Sequence, residues 1–89
     1  MLMSIYEAVN VMRRALNDSA YEFGSTSYQD RCEGISVSSR RDTLVVVIKM
    51  YVADNYYRKE VQDNIEGILN SIRYQYDIPY GIDYEIRFC

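Results

Sequence analysis

Histidine is missing from all 89 residues. Its absence removes the commonest general base and the commonest metal ligand, and with them most catalytic triads and zinc sites. Cysteine occurs twice, at Cys32 and Cys89, too few for a disulfide framework. Nothing near either in sequence activates a thiol, so both are expected to be free and the chain cytoplasmic. The four glycines, Gly24, Gly34, Gly67 and Gly81, stand singly, which leaves no phosphate-cradling loop. The longest strongly apolar run, Leu44 to Ile48, falls far short of the roughly 20 residues that cross a bilayer. The opening MLMSIYEAVN has neither a basic leader nor an unbroken apolar segment, so no signal peptide is expected. A basic excess is lacking too. The net charge of −3 weakens a non-specific role on nucleic acid or anionic membrane.

What remains is an ordinary globular composition, 48% hydrophobic and 26% charged. The length fits a single domain over residues 1–89, with a thin core. Ser4-Ile5-Tyr6-Glu7 has the form of a capping box. Behind it Ile5, Val9, Met12, Leu16, Ala20 and Phe23 recur at steps of three and four, predicting a helix that stops at Gly24. STSYQD is a polar loop. Ile35 and Val37 alternate with small residues as a short strand, and SSRRD, Ser38 to Asp42, reads as a turn. Thr43 to Val52 is β-branched and predicts the main strand, with Leu44, Val46, Ile48, Met50 and Val52 on one face. Asp54 or Asn55 caps a second helix. Its inner stripe is Val61, Ile65, Ile68, Leu69, Ile72 and Tyr76, and Gly67 within it suggests close packing. Pro79 ends that helix, Pro79-Tyr80-Gly81 turns, and Ile82 to Phe88 is the last strand. The expected fold is α/β (α+β), in the order αββαβ. Two helices pack on one face of a small three-stranded mixed sheet, with a hairpin followed by a right-handed crossover.

The C-terminal YQYDIPYGIDYEIRFC is rich in rings, and strand parity sorts them. Ile82, Tyr84, Ile86 and Phe88 share one face and must meet the helices, while Asp83, Glu85 and Arg87 share the other. Tyr84 and Phe88 are therefore core, and Tyr74 and Tyr80 are left as surface rings. A stacking platform for nucleic acid needs aromatics beside basic groups. The open face instead carries Asp83 and Glu85, with Tyr51 as its one predicted ring. Asp83 and Glu85 as a catalytic pair would need a pocket to perturb them, and Asp63, Asn64 and Glu66 match no calcium loop. No enzyme activity, cofactor, metal site or small-molecule substrate is expected.

The open face is the feature above background. Strand 2 presents Val45, Val47, Lys49 and Tyr51 there, with Asp83, Glu85 and Arg87 as a rim, and an apolar centre inside a polar rim suits a protein partner. The competing arrangement folds helix 1, or the loop bearing Tyr21, Phe23 and Tyr28, across that face. If strand 2 lies at a sheet edge, its backbone could also pair with another chain. A possible basic patch consists of Arg13, Arg14, Arg31, Arg40 and Arg41; charged turns and helix ends explain the same residues. Parity turns Cys32 and Cys89 to the open face, and a strand 1 lying between strands 2 and 3 would bring them to one edge.

The stretch VVVIKMYVADNYYRKEVQDNIEGILNSI, with its phrase Val61-Gln62-Asp63-Asn64-Ile65, resembles the alkaline shock protein family over about the last half of the chain. The loop before the helix and the N-terminal helix depart from that family. The resemblance implies an αββαβ module that self-associates or docks on a membrane-associated partner, and it carries no catalytic residues over. The residues and the resemblance together lead to a small non-catalytic protein–protein interaction module, either a homodimer or a chain that docks on a larger protein. The alternative is a small phage or mobile-element inhibitor that blocks a host enzyme or nucleoprotein complex.

Overall fold

The computed structural model describes residues 3–25 and 29–89. Thr26, Ser27 and Tyr28 lie outside them, and so does the part of the polar loop that Tyr28 would have laid over the sheet. The elements run α1 (Ile5–Ser19), β1 (Arg31–Arg40), β2 (Thr43–Tyr51), α2 (Arg58–Gln75) and β3 (Gly81–Phe88). A single 3₁₀ turn follows α1 and another precedes α2. The chain is thus an α+β fold of two helices on one face of a three-stranded mixed sheet.

Helix α1 begins where the capping pattern places it. Ser4 Oγ accepts from Glu7 N at 3.1 Å, satisfying one of the amides a helix start leaves free. Its buried face is Ala8, Met12, Ala15 and Leu16, and Phe23 beyond the 3₁₀ turn is wholly buried. Ile5, Val9 and Ala20 flank this stripe half-buried. The small Ala8 and Ala15 let the helix approach the sheet closely, so the buried line runs through them.

Strand β2 is the middle of the sheet, whose order is β1-β2-β3. β1 pairs with it antiparallel and β3 parallel. This excludes two arrangements that residue order left open: strand 2 is not an edge, and strand 1 does not lie between strands 2 and 3. Leu44, Val46, Ile48 and Met50 are fully buried against the helices, each contributing about 1.5–3 kcal/mol by leaving water. Val52, just past the strand, is buried too.

β1 is longer than its apolar residues suggest, because Ser38, Ser39 and Arg40 continue the ladder opposite Val45, Leu44 and Thr43. The turn is only Arg41-Asp42, with Arg41 left-handed at φ 58°. At the other end the register slips between Cys32 and Gly34, leaving Glu33 as a bulge. The extra residue inverts parity. Cys32 therefore pairs with Met50 on the helix side and packs against the core, not on the open face.

In α2 the buried stripe is Val61, Ile65, Leu69 and Ile72, with Ile68 half-buried. Tyr76 does not belong to it and is 43% exposed. The helix stops at Gln75, and Asp77 takes the left-handed conformation at φ 50°. Ile78 N then donates to Arg73 O at 3.0 Å, closing the end, and buries its own side chain. The Asp54 carboxylate caps the 3₁₀ lead-in by accepting from Tyr56 N at 2.9 Å. Gly67 is exposed, and a Cβ there would meet nothing within 4 Å, so no close packing requires it. Replacing Gly67 with alanine should therefore stabilise the fold by about 1 kcal/mol, read as a higher urea midpoint with an unchanged slope.

Candidate partner-binding face

Both helices lie on the even-residue side of β2, so neither covers the other side. Of the loop residues proposed to cross it, Phe23 is in the core and Tyr21 is 83% exposed. Among the described residues that side is uncovered, and the ladder sets its residues in rows. Ser38, Val45 and Asp83 form one; Ser36, Val47 and Glu85 the next; Gly34, Lys49 and Arg87 the third; Arg31 stands opposite Tyr51 at the far end. The structure thus brings Val45, Val47, Lys49, Tyr51, Asp83, Glu85 and Arg87 onto one surface. Val45, Val47 and Tyr51 are half-buried by their neighbours, while Lys49, Asp83, Glu85 and Arg87 are exposed. A shallow depression of about 250 Å³ lies between Gly34, Ser36, Val47 and Lys49.

Charges on this face are largely paired along or across strands. Glu85 accepts from Arg87 Nε at 3.2 Å. Arg40 approaches Asp83 at 3.7 Å across β2. Arg31 lies 4.3 Å from the centre of the Tyr51 ring and bonds Glu33 at 2.8 Å. These are exposed pairs worth little to stability.

The five arginines do not form one patch. Arg31 and Arg40 end the same strand, roughly 30 Å apart at strand rise. Arg13 is engaged elsewhere: its guanidinium donates to Val37 O on the outer edge of β1 at 3.1 Å and to Asn10 Oδ1 at 3.2 Å. Arg14 is exposed on α1, and Arg41 occupies the left-handed turn position. An arginine there carries the strain that glycine avoids. Arg41→Gly should raise stability by up to about 1 kcal/mol, measured by thermal or urea unfolding.

The rings are mostly architectural, with two adjustments. Tyr80 is half-buried, not a surface ring, because its hydroxyl donates to Met3 O at 2.7 Å and ties the chain start to β3. Tyr84 and Phe88 face the helices as parity requires, yet are only half-buried on the outermost strand. Tyr84 OH donates to Glu66 Oε2 at 2.9 Å, and that bond raises its pKa above the ordinary value. Tyr74 is 87% exposed on α2, away from the open face.

Cys32 and Cys89 are free. Partial burial pushes the Cys32 thiol up, and its Sγ lies 3.7 Å from Gly34 O, so it is a weaker nucleophile than an ordinary thiol. Cys89 is exposed, and its amide donates to Met50 O, one strand removed from Cys32. Among the described residues no group of three or more His, Cys, Asp or Glu is placed to hold a metal ion. Among them, too, no helix is long and apolar enough to cross a membrane.

No periodicity or motif marks Asp30, which clasps three segments at the end of the sheet. Its carboxylate accepts from Ala53 N at 3.0 Å, from Ser25 N at 2.8 Å and from Ser25 Oγ. A Cβ on Gly24 would come within 3.0 Å of Asp30 Cβ, so glycine allows the closure, and Asn64 Nδ2 donates to Gly24 O at 2.8 Å. Partial burial opposes ionisation of Asp30, but the bonds from Ser25 and Ala53 outweigh it and hold the carboxyl below its ordinary 3.8. Because the folded pKa is the lower one, the stabilisation is complete above the unfolded value and is lost as pH falls through the folded value. Acid melts between about pH 5 and pH 2 should show a smaller loss of stability in Asp30→Asn than in the parent chain.

Compared with models of known protein families, with curated proteins and with solved structures, the chain matches none.

Proposed function

We propose that the chain is a small non-catalytic protein-binding module whose uncovered sheet face docks on another protein. The observation that carries this reading is the row arrangement: Val45 and Val47 stand half-exposed at the centre of a sheet whose helices both lie on the opposite side. Serines, Lys49 and paired charges ring them. That mixture matches the composition of interfaces between proteins that also exist apart, whereas permanent homodimer faces are more apolar. The partner is therefore a different protein, with a shallow apolar point for the valines and polar groups for Glu85, Arg87 and Lys49. Because β2 is central, its backbone is fully engaged and recognition on this face rests on side chains. The two free thiols support a reducing, cytoplasmic setting. A captured partner whose own activity falls on binding would make the chain an inhibitor.

The test is capture by the tagged full chain, compared with Val47→Glu and Tyr51→Glu. Each variant should weaken capture by about tenfold or more while retaining the parent's circular dichroism and melting profile. Undiminished capture by both would refute the docking face; unfolding of both would place these side chains in the core.

A further inference from the structure

The two edges of the sheet differ in how they are finished. On the outer edge of β1 a bulge at Glu33 breaks the ladder, and Arg13 from α1 occupies Val37 O. Such devices keep an edge from pairing with another chain. β3 has neither. Its register with β2 is unbroken from Gly81 to Phe88, and Cys89 N donates to Met50 O at 2.9 Å. Successive residues turn their backbone groups to opposite sides, so Asp83, Glu85 and Arg87 bond inward to β2. Ile82, Tyr84, Ile86 and Phe88 then point their N–H and C=O outward, where among the described residues no backbone group meets them. The side chains agree: the four apolar positions of β2 are fully buried, while these four are left half-buried.

We propose that the outer edge of β3 pairs antiparallel with β3 of a second copy, about a two-fold axis through Ile86, making one continuous sheet. A register that keeps the two helix-side faces together must set even residues against even ones. Centred on Glu85, it would oppose two carboxylates; centred on Tyr84, Asp83 would face Glu85; centred on Arg87, two guanidinium groups would meet. Like charges directly opposite destabilise a pair. Centred on Ile86, Glu85 faces Arg87 of the second copy, twice by symmetry, in the non-hydrogen-bonded positions where side chains stand closest. On the helix side Tyr84 then meets Phe88. This brings the Tyr84–Glu66 hydrogen bond of one copy beside Arg58 of the other, which lies 4.9 Å from its Phe88 ring centre and whose Nε is buried with no hydrogen-bond partner. The carboxylate of one copy thus comes near the guanidinium of the other, a charge of opposite sign.

Molar mass in solution, by light scattering on a sizing column with reducing agent across a concentration series, tests the pairing with no docking partner present, and Ile86→Pro tests it away from the docking face. The full chain should weigh about twice 10.5 kDa. Glu85→Arg should shift it toward 10.5 kDa, raising the dissociation constant about tenfold or more. The exchanged pair Glu85→Arg with Arg87→Glu should restore the dimer. Ile86→Pro, which removes an outward amide without taking a bond from β2, should also give the monomer. In hydrogen exchange the Tyr84, Ile86 and Phe88 amides should be slow. A monomer at every concentration with those amides exchanging freely overturns the proposal, as does a dimer indifferent to both Glu85→Arg and Ile86→Pro.

Discussion

Everything in this fold is placed by the two-sided pairing of β2. Its backbone is bonded to β1 on one side and β3 on the other, and its even side chains are sealed from water by both helices. With nine residues it does what two layers do in a larger protein. A strand so used has no freedom in register, because a slip of one residue would carry Leu44, Val46, Ile48 and Met50 to the open side and bring Lys49 into the core. The hairpin, the crossover and the position of each helix follow from that register.

The odd residues of β2 inherit their placement from the even ones. Val45, Val47 and Tyr51 are on the uncovered side because their neighbours must be inside, so β-propensity alone would put them there. What distinguishes the face is its surroundings: two serines from β1, two carboxylates and an arginine from β3, and a lysine from β2 itself. Their charges are largely paired with one another, which leaves the surface flat and nearly neutral. On the docking proposed above, a partner would be selected by shape and by the spacing of polar groups, with little long-range steering.

Much of the fold can be read from residue order. The Ser4 cap, the alternation from Leu44 to Met50 and the stripe from Val61 to Ile72 each carry a local physical reason, and each is found in place. Strand order is not legible this way, since parity says which face a residue takes and not which neighbour its strand has. The bulge at Glu33 is invisible because nothing in Cys32-Glu33-Gly34 marks an extra residue, and it turns Cys32 inward and Arg31 to the open side. Tyr76 keeps helical spacing with Ile72, but the helix ends at Gln75 and Tyr76, at its cap, is left exposed. The Asp30 clasp unites Ser25, Asp30 and Ala53, polar and small residues with no periodicity to reveal that they meet. The open face was legible from alternation alone; the contrast between its two edges needed the backbone directions.

The bond from Tyr80 OH to Met3 O spans nearly the whole chain. It fastens the beginning of α1 to the residue just before the last strand. On a ribosome, α1, the hairpin and α2 all emerge before this anchor and the strand after it can be threaded alongside β2. Until then, one flank of β2 is bare, and the nascent chain presents Leu44 to Met50 beside a vacant ladder. Emergence of residues 80–89 is thus the step that converts a half-built, aggregation-exposed sheet into the finished domain.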